Sequence, residues 1–182
     1  MSAIVRVRRE ASHDISGIRR AHNLAFGGDT AVLTWEARLV EDLRDGPSWI
    51  PALSIVAEVN GTIVGHALAT RGRLEHSGPA DPVRALGLAP VGVLPDYQAL
   101  GIGTKMIYAL LGAAGALDED LVCLLGDPRY YSRFGFVLAS TLRIAPPHPA
   151  WEAHFQALPL GSPVSATQPA TFFYDGAFDR AE

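Results

Sequence analysis

The stretch Val91-Gly92-Val93-Leu94-Pro95-Asp96-Tyr97-Gln98-Ala99-Leu100-Gly101-Ile102-Gly103-Thr104 sets a glycine-bearing turn between an apolar run and an amphipathic one. A helix N-terminus presents unpaired N–H groups and the positive end of the helix dipole, and glycine lets an anion approach the backbone, so this arrangement suits phosphate. Two common nucleotide loops do not fit. A Walker A loop needs G-x-x-x-x-G-K-[ST], and Gly101-Ile102-Gly103-Thr104-Lys105 has neither that spacing nor a hydroxyl after the lysine. A dinucleotide fingerprint wants Gly or Ala where Met106 stands, within the first β-α-β unit, whereas this turn falls past the middle of the 182 residues. A lone G-x-G also admits the plainer reading of a tight connection that binds nothing. Cys123 lies in an apolar run with no adjacent histidine or base, which points to packing rather than nucleophilic chemistry. The six histidines, His13, His22, His66, His76, His148 and His154, show no ligand spacing, so no metal is expected.

The elements that must position this turn are readable around it. Ile4, Val5 and Val7 suggest a first strand; Ser12 stands where an N-cap belongs, ahead of Ile15, Ile18, Ala21, His22 and Ala25 at helical spacing, with Gly27 and Gly28 as the stop. Trp35, Leu39, Val40 and Leu43 form the stripe of a second helix that ends near Asp45-Gly46-Pro47. Residues 53–59 and 62–73 read as strands joined by Asn60-Gly61, the pair that best tolerates positive φ at both turn positions. A loop with Gly78, Pro79 and Pro82 leads to residues 85–94, apolar on both sides and therefore a central strand. Residues 101–117 read as a helix with Ile102, Met106, Leu110, Ala113 and Leu117 on one face, and with Gly112 and Gly115 allowing close approach to a neighbour. Asp118-Glu119-Asp120 reads as a solvated turn before a buried strand at 121–125, and such β-α-β crossovers are parallel and right-handed. A short helix at 127–134, a strand at 136–144, a Pro-rich segment at 146–169 and a strand at 171–174 complete the chain. The expected fold is α/β, in the order β-α-α-β-β-β-α-β-α-β-β, a mixed sheet with helices on both faces.

Composition narrows the partners. Fifteen Lys and Arg against nineteen Asp and Glu give net −4, so nothing attracts nucleic acid electrostatically. The longest nearly apolar stretch, 106–117, is broken by two glycines and too short to span a bilayer, so no membrane partner is expected. The first ten residues carry three arginines without an apolar run and cleavage site, and a lone cysteine cannot form an internal disulfide; a cytoplasmic location follows. With no repeat, heptad or long linker, residues 1–182 read as one domain, with a core at about 4–145 and a Pro-rich segment at 146–182.

The turn also carries a family resemblance. Val93-Leu94-Pro95 followed by Gln98-Ala99-Leu100-Gly101-Ile102-Gly103 resembles motif A of the GNAT superfamily of acetyl-CoA-dependent N-acetyltransferases, and Leu125-Gly126-Asp127-Pro128-Arg129-Tyr130-Tyr131-Ser132-Arg133-Phe134-Gly135-Phe136 resembles its motif B in a bacterial branch of small acetyltransferases. The likeness covers residues 4–140. It implies a GNAT-like fold with a parallel central strand pair splayed at the cofactor site, and acetyl-CoA as co-substrate held by Val91, Gly92, Val93, Gln98, Ala99, Leu100, Gly101, Ile102, Gly103 and Thr104. It also implies direct acetyl transfer to a primary amine on a small molecule or peptide. Ala99 and Leu100 replace the common glycine and basic residue of the loop, removing one charge-assisted phosphate contact worth ~1 to 2 kcal/mol. Asp127-Pro128 replaces an asparagine often found early in motif B.

The resemblance gives Tyr131 the role of general acid to the leaving thiolate, a phenol of pKa near 10 being protonated at neutral pH; the alternative is a hydroxyl that satisfies a backbone carbonyl, while Tyr130 packs into the core. No carboxylate stands in residues 88–93, where some relatives carry a base. Glu36 is the first base or substrate contact to test, because in this fold the first two helices overhang the acceptor cleft; an ordinary solvated helix residue is the competing reading. A bulge near Pro90, which cannot donate to a ladder, would aim a backbone N–H of 91–93 at the thioester carbonyl. Trp151, Phe155, Phe172, Phe173 and Tyr174 fit an aromatic wall beside the acceptor, core packing or a homodimer contact. Two other classes stay open: a non-catalytic acyl-CoA-binding module, and a nucleotide-binding protein.

Overall fold

The computed structural model describes residues 4–29, 32–79, 83–161 and 169–181. Strand β1 (Val5–Arg9) leads through a 3-10 turn at Ser12–Asp14 into α1 (Ile15–Ala25). Ser12 is not the cap. Asp14 precedes α1, and its carboxylate accepts from the Ala11 amide (2.8 Å) and from Arg8 Nη2 (3.0 Å), which holds it below the usual carboxylate range. Helix α2 (Trp35–Arg44) opens at Thr34, whose side chain accepts from the Ala37 amide. Strands β2 (Ser54–Val59) and β3 (Thr62–Arg71) form the expected hairpin, with φ of 50° at Asn60 and 78° at Gly61.

The strand expected over 62–73 divides at Gly72, where the Phe172 ring occupies the space a side chain would need; β4 (Arg73–His76) then joins a different sheet. Strand β5 (Ala85–Val93), α3 (Ile102–Ala116) and β6 (Leu121–Leu125) make the β-α-β unit, and β5 and β6 are parallel as read. Helix α4 (Pro128–Tyr131) continues as a 3-10 turn at Ser132–Phe134. The single strand expected over 136–144 is two short ones, β7 (Val137–Leu138) and β8 (Ile144–Ala145), separated by a 3-10 turn that ends at Arg143 in the left-handed region. The segment read as an irregular Pro-rich tail contains β9 (Phe155–Pro159), and β10 (Ala170–Phe173) follows; residues 162–168 of that segment lie outside the described part, as do 80–82 of the earlier loop.

One sheet runs β1-β2-β3-β5-β6-β9-β7 and a smaller one β4-β10-β8. Ile18, Leu39, Val40 and Leu43 of α1 and α2 cover one face of the large sheet against Val56, Ile63 and Leu68, while Met106, Ile107 and Leu110 of α3 cover the other. With both faces covered, β3 is buried from Ile63 to Thr70. Gly112 and Gly115, expected to meet a neighbour, instead face open space. The turn 118–120 is likewise not simply solvated. Glu119 is 3% exposed, paired with Arg71 (Nη2 at 2.7 Å) and Arg84 (3.3 Å), and Asp120 accepts from the Arg84 amide. These contacts pin the parallel pair at its N-terminal end. Its other end is free: pairing runs from Ala85–Leu121 only to Gly87–Cys123, although β5 continues to Val93. Opposite, the β3–β5 register shifts between Ala67 and Ala69, so that Ala89 and Pro90 both face Leu68. That bulge turns β5 away from β6 and opens the sheet.

Candidate active site

The opening is occupied at one end by the turn that the sequence singled out. Gly101 caps α3 with φ 76°, a conformation that costs a non-glycine residue, and no side chain caps the helix there. The first intrahelical N–H bond is Lys105 to Gly101 (3.1 Å), so the amides of Ile102, Gly103 and Thr104 point outward without helical partners. They border a cavity of about 430 Å³ that is also lined by Val91, Val93, Tyr97, Gln98, Ala99, Tyr130, Tyr131 and Arg133. Eight of the ten residues expected around the cofactor therefore come together. Gly92 and Leu100 do not line it: Gly92 faces the His22 ring on the other side of the sheet, and Leu100 projects outward, 65% exposed. Gln98 donates to the Val93 carbonyl (3.0 Å), which ties the turn to the end of β5.

Tyr97, Tyr130 and Arg133 are the lining residues that sequence reasoning missed. Tyr130 belongs to the wall and not only to the core, since its hydroxyl lies 3.0 Å from where a Gly103 side chain would begin. Arg133 stacks over the Tyr130 ring (4.5 Å) and donates through Nε to the Tyr130 carbonyl (2.8 Å), bringing a cation to the cavity that Ala99 also lines. Its place two residues before Gly135 was the available signal. Tyr131 packs its ring flat on Gly126; a Cβ there would stand 2.3 Å from Cε2. Burial first, and the neighbouring Tyr130 second, push the Tyr131 phenol up to about 12, so it is protonated at neutral pH. Glu36 is half-buried in the first turn of α2 and lines neither this cavity nor the aromatic one beside Trp35.

Behind β5 a buried polar chain crosses the sheet. Arg44 pairs with Glu10 (2.9 Å), and the Ser54 hydroxyl donates to the same carboxylate. That leaves the Ser54 oxygen to accept from His66 Nε2 (2.8 Å) and His66 Nδ1 to accept from His22 Nε2 (2.7 Å). His22 Nδ1 ends the chain without a partner among the described residues, facing Gly92. Burial pulls His22 down to about 3 and His66 well below its usual value, so both rings are neutral. Cys123 is fully buried, and burial raises its thiol, consistent with packing. Among the described residues no cluster of His, Cys, Asp and Glu could hold a metal.

A family model for the acetyltransferase (GNAT) domain matches residues 6–139. The chain belongs to the GNAT acetyltransferase family. Within GNAT it is 35% identical over 142 residues to the uncharacterized N-acetyltransferase YjhQ of Escherichia coli K12, covering 78% of this chain and 75% of that one. The crystal structure of the Escherichia coli GNAT protein YhbS in complex with CoA superposes with a TM-score of 0.86 at 26% identity, over 100% of this chain and 96% of that one. A Brucella melitensis GNAT structure in complex with acetyl-CoA gives 0.75 at 30% identity, over 97% and 99%. The GNAT fold expected from the two motifs is thus the fold observed.

Proposed function

We propose that the chain transfers the acetyl group of acetyl-CoA directly to a primary amine. The observation that carries the reading is the uncapped N-terminus of α3, whose free amides open into the same cavity as Tyr131. The relatives YhbS and the Brucella protein, solved with CoA and acetyl-CoA, support the choice of anion. When bound, acetyl-CoA supplies an activated thioester carbonyl. The amides of Ile102, Gly103 and Thr104 hold the pyrophosphate, and Arg133 supplies the cation that the loop lacks at Ala99 and Leu100. The backbone N–H groups of 91–93 beyond the bulge polarise the carbonyl.

The amine must arrive neutral, and for a pKa near 10.4 the loss of its proton at neutral pH costs about 4 to 5 kcal/mol. Its nitrogen bonds to the carbonyl carbon, the C–S bond breaks, and one N–H proton ends on the sulfur. A phenol near 12 gives up its proton to a thiolate of pKa near 8.5 only uphill, by about 5 kcal/mol, so Tyr131 acts chiefly as a hydrogen-bond donor to the developing thiolate. Calorimetry with CoA, followed by release of free thiol from acetyl-CoA in the presence of primary amines, tests the reading. Micromolar binding and amine-dependent thiol release are expected; absence of CoA binding would sink it.

A further inference from the structure

A second cavity, of about 540 Å³, lies on the α2 side of the splay, and nothing in the cofactor reading uses it. Six aromatic rings line it: Trp35, Trp151, Phe173, Tyr174, Phe178 and the His148 imidazole, which meets Trp151 edge to face (4.6 Å). Trp35 and Phe178 meet edge to face (6.3 Å between centroids), and Tyr174 lies against Phe178 (4.6 Å), so the walls are flat and mutually braced. Two charged side chains reach it. Arg73 is already engaged, bound to Glu75 (2.7 Å) and stacked on Phe173 (4.9 Å). Asp179, exposed at the rim, has no side-chain partner among the described residues.

Tyr174 carries this cavity's wall up to strand β5. Its ring rests on Gly87, the last β5 residue paired with β6 before the sheet opens; a Gly87 Cβ would stand 2.5 Å from Cδ1. Its hydroxyl is buried and makes no hydrogen bond of acceptable geometry among the described residues. A buried hydroxyl of this kind is costly in a folded protein unless a ligand or a water completes it. Trp35 Nε1 is likewise buried without a hydrogen-bond partner among the described residues.

We propose that this cavity is the acceptor site and that it takes a primary amine carried on a flat apolar body, an arylalkylamine without a carboxylate. The rings hold the body by stacking, and Asp179 draws the ammonium in on approach while repelling an acidic group. The amine end reaches the thioester past Tyr174, where its nitrogen forms the amide bond as the C–S bond breaks and one N–H proton passes to the sulfur. The proposal rests on the acetyltransferase reading, and the experiment separates the two. Calorimetry with CoA comes first, because failure there removes the transferase itself whatever the acceptor. With CoA binding established, thiol release from acetyl-CoA is compared for 2-phenylethylamine, tryptamine, L-phenylalanine and spermidine, and tryptophan fluorescence is titrated with 2-phenylethylamine. Expected are kcat/KM values about tenfold or more higher for the two arylalkylamines, and saturable quenching from Trp35 and Trp151. Trp151→Ala should cut kcat/KM for 2-phenylethylamine about tenfold at unchanged CoA affinity. Should loss of that ring disturb folding, the exposed Asp179→Asn serves instead, raising KM for 2-phenylethylamine and narrowing the gap to L-phenylalanine. Equal or faster turnover of spermidine or L-phenylalanine would overturn the proposal. So would CoA binding accompanied by neither quenching nor turnover with the arylalkylamines.

Discussion

Two side chains on the α4 side of the cavity divide the work in ways that kinetics can resolve. Tyr131 is held by its fit on Gly126 and is kept protonated by burial, and on the proposed reading its hydroxyl acts where charge develops on sulfur and does little for the ground state. Tyr131→Phe is therefore expected to lower kcat by about ten- to a hundredfold at unchanged CoA affinity. Stopped thiol-release assays beside calorimetry check this, and an unaltered kcat would return the residue to packing. On the same reading Arg133 is a ground-state contact instead. Arg133→Gln keeps the polar stem but removes the cation, and CoA affinity should fall about tenfold at low salt, by less at high salt. An affinity loss independent of ionic strength would mean that the guanidinium acts by stacking on Tyr130 and not by its charge.

At the scale of the element, α3 shows how one helix serves two ends. Its N-terminus is left uncapped with Gly101 in the left-handed region, while Met106, Ile107 and Leu110 anchor its middle in the core. Gly112 lies in the same helix, where an added Cβ would meet open space, and has no unusual φ, so it contributes flexibility without a packing return. Gly112→Ala should stabilise the fold by about 0.5 to 1 kcal/mol with activity unchanged, read as a shift in urea midpoint at constant m-value. The neighbouring unit, β5 with β6, is fastened by Glu119 to Arg71 and Arg84 at one end and opened by the bulge at Ala89 and Pro90 at the other. Of these features the helix, the glycine turn and the bulge at Pro90 were legible from residue types. The buried role of Glu119 was not, because a three-acid run looks solvated until the partners from residues 71 and 84 are folded beside it.

Over the whole molecule, the chain from Arg44 through Glu10, Ser54 and His66 to His22 ties β1, β2, β3, α1 and α2 together and gives stability a pH dependence. Both histidines have folded-state pKa values below the unfolded value near 6.5, so the unfolded chain binds the extra protons as pH falls. Their contribution is complete above 6.5 and is lost progressively below it, toward about 3 for His22. Between pH 7.5 and 5.5 each should cost about 1.4 kcal/mol of stability, measured by urea unfolding at the two values. A flat profile would mean that the rings are not buried neutral. No helix among the described residues is long and apolar enough to cross a membrane.

The order of most elements, the hairpin at Asn60-Gly61, the phosphate-type turn and the GNAT motifs were determined by the sequence itself, because each depends on φ preferences and periodicities within a few residues. Strand β9 was hidden by the prolines around it, and the division of 62–73 depended on a ring from residue 172. The arrival of Arg133 in the same cavity as Ala99, and of Tyr174 upon Gly87, were likewise decided only by tertiary structure. Contacts between residues far apart in the chain follow from how the sheet closes and where it splays, and no local run of residues encodes that.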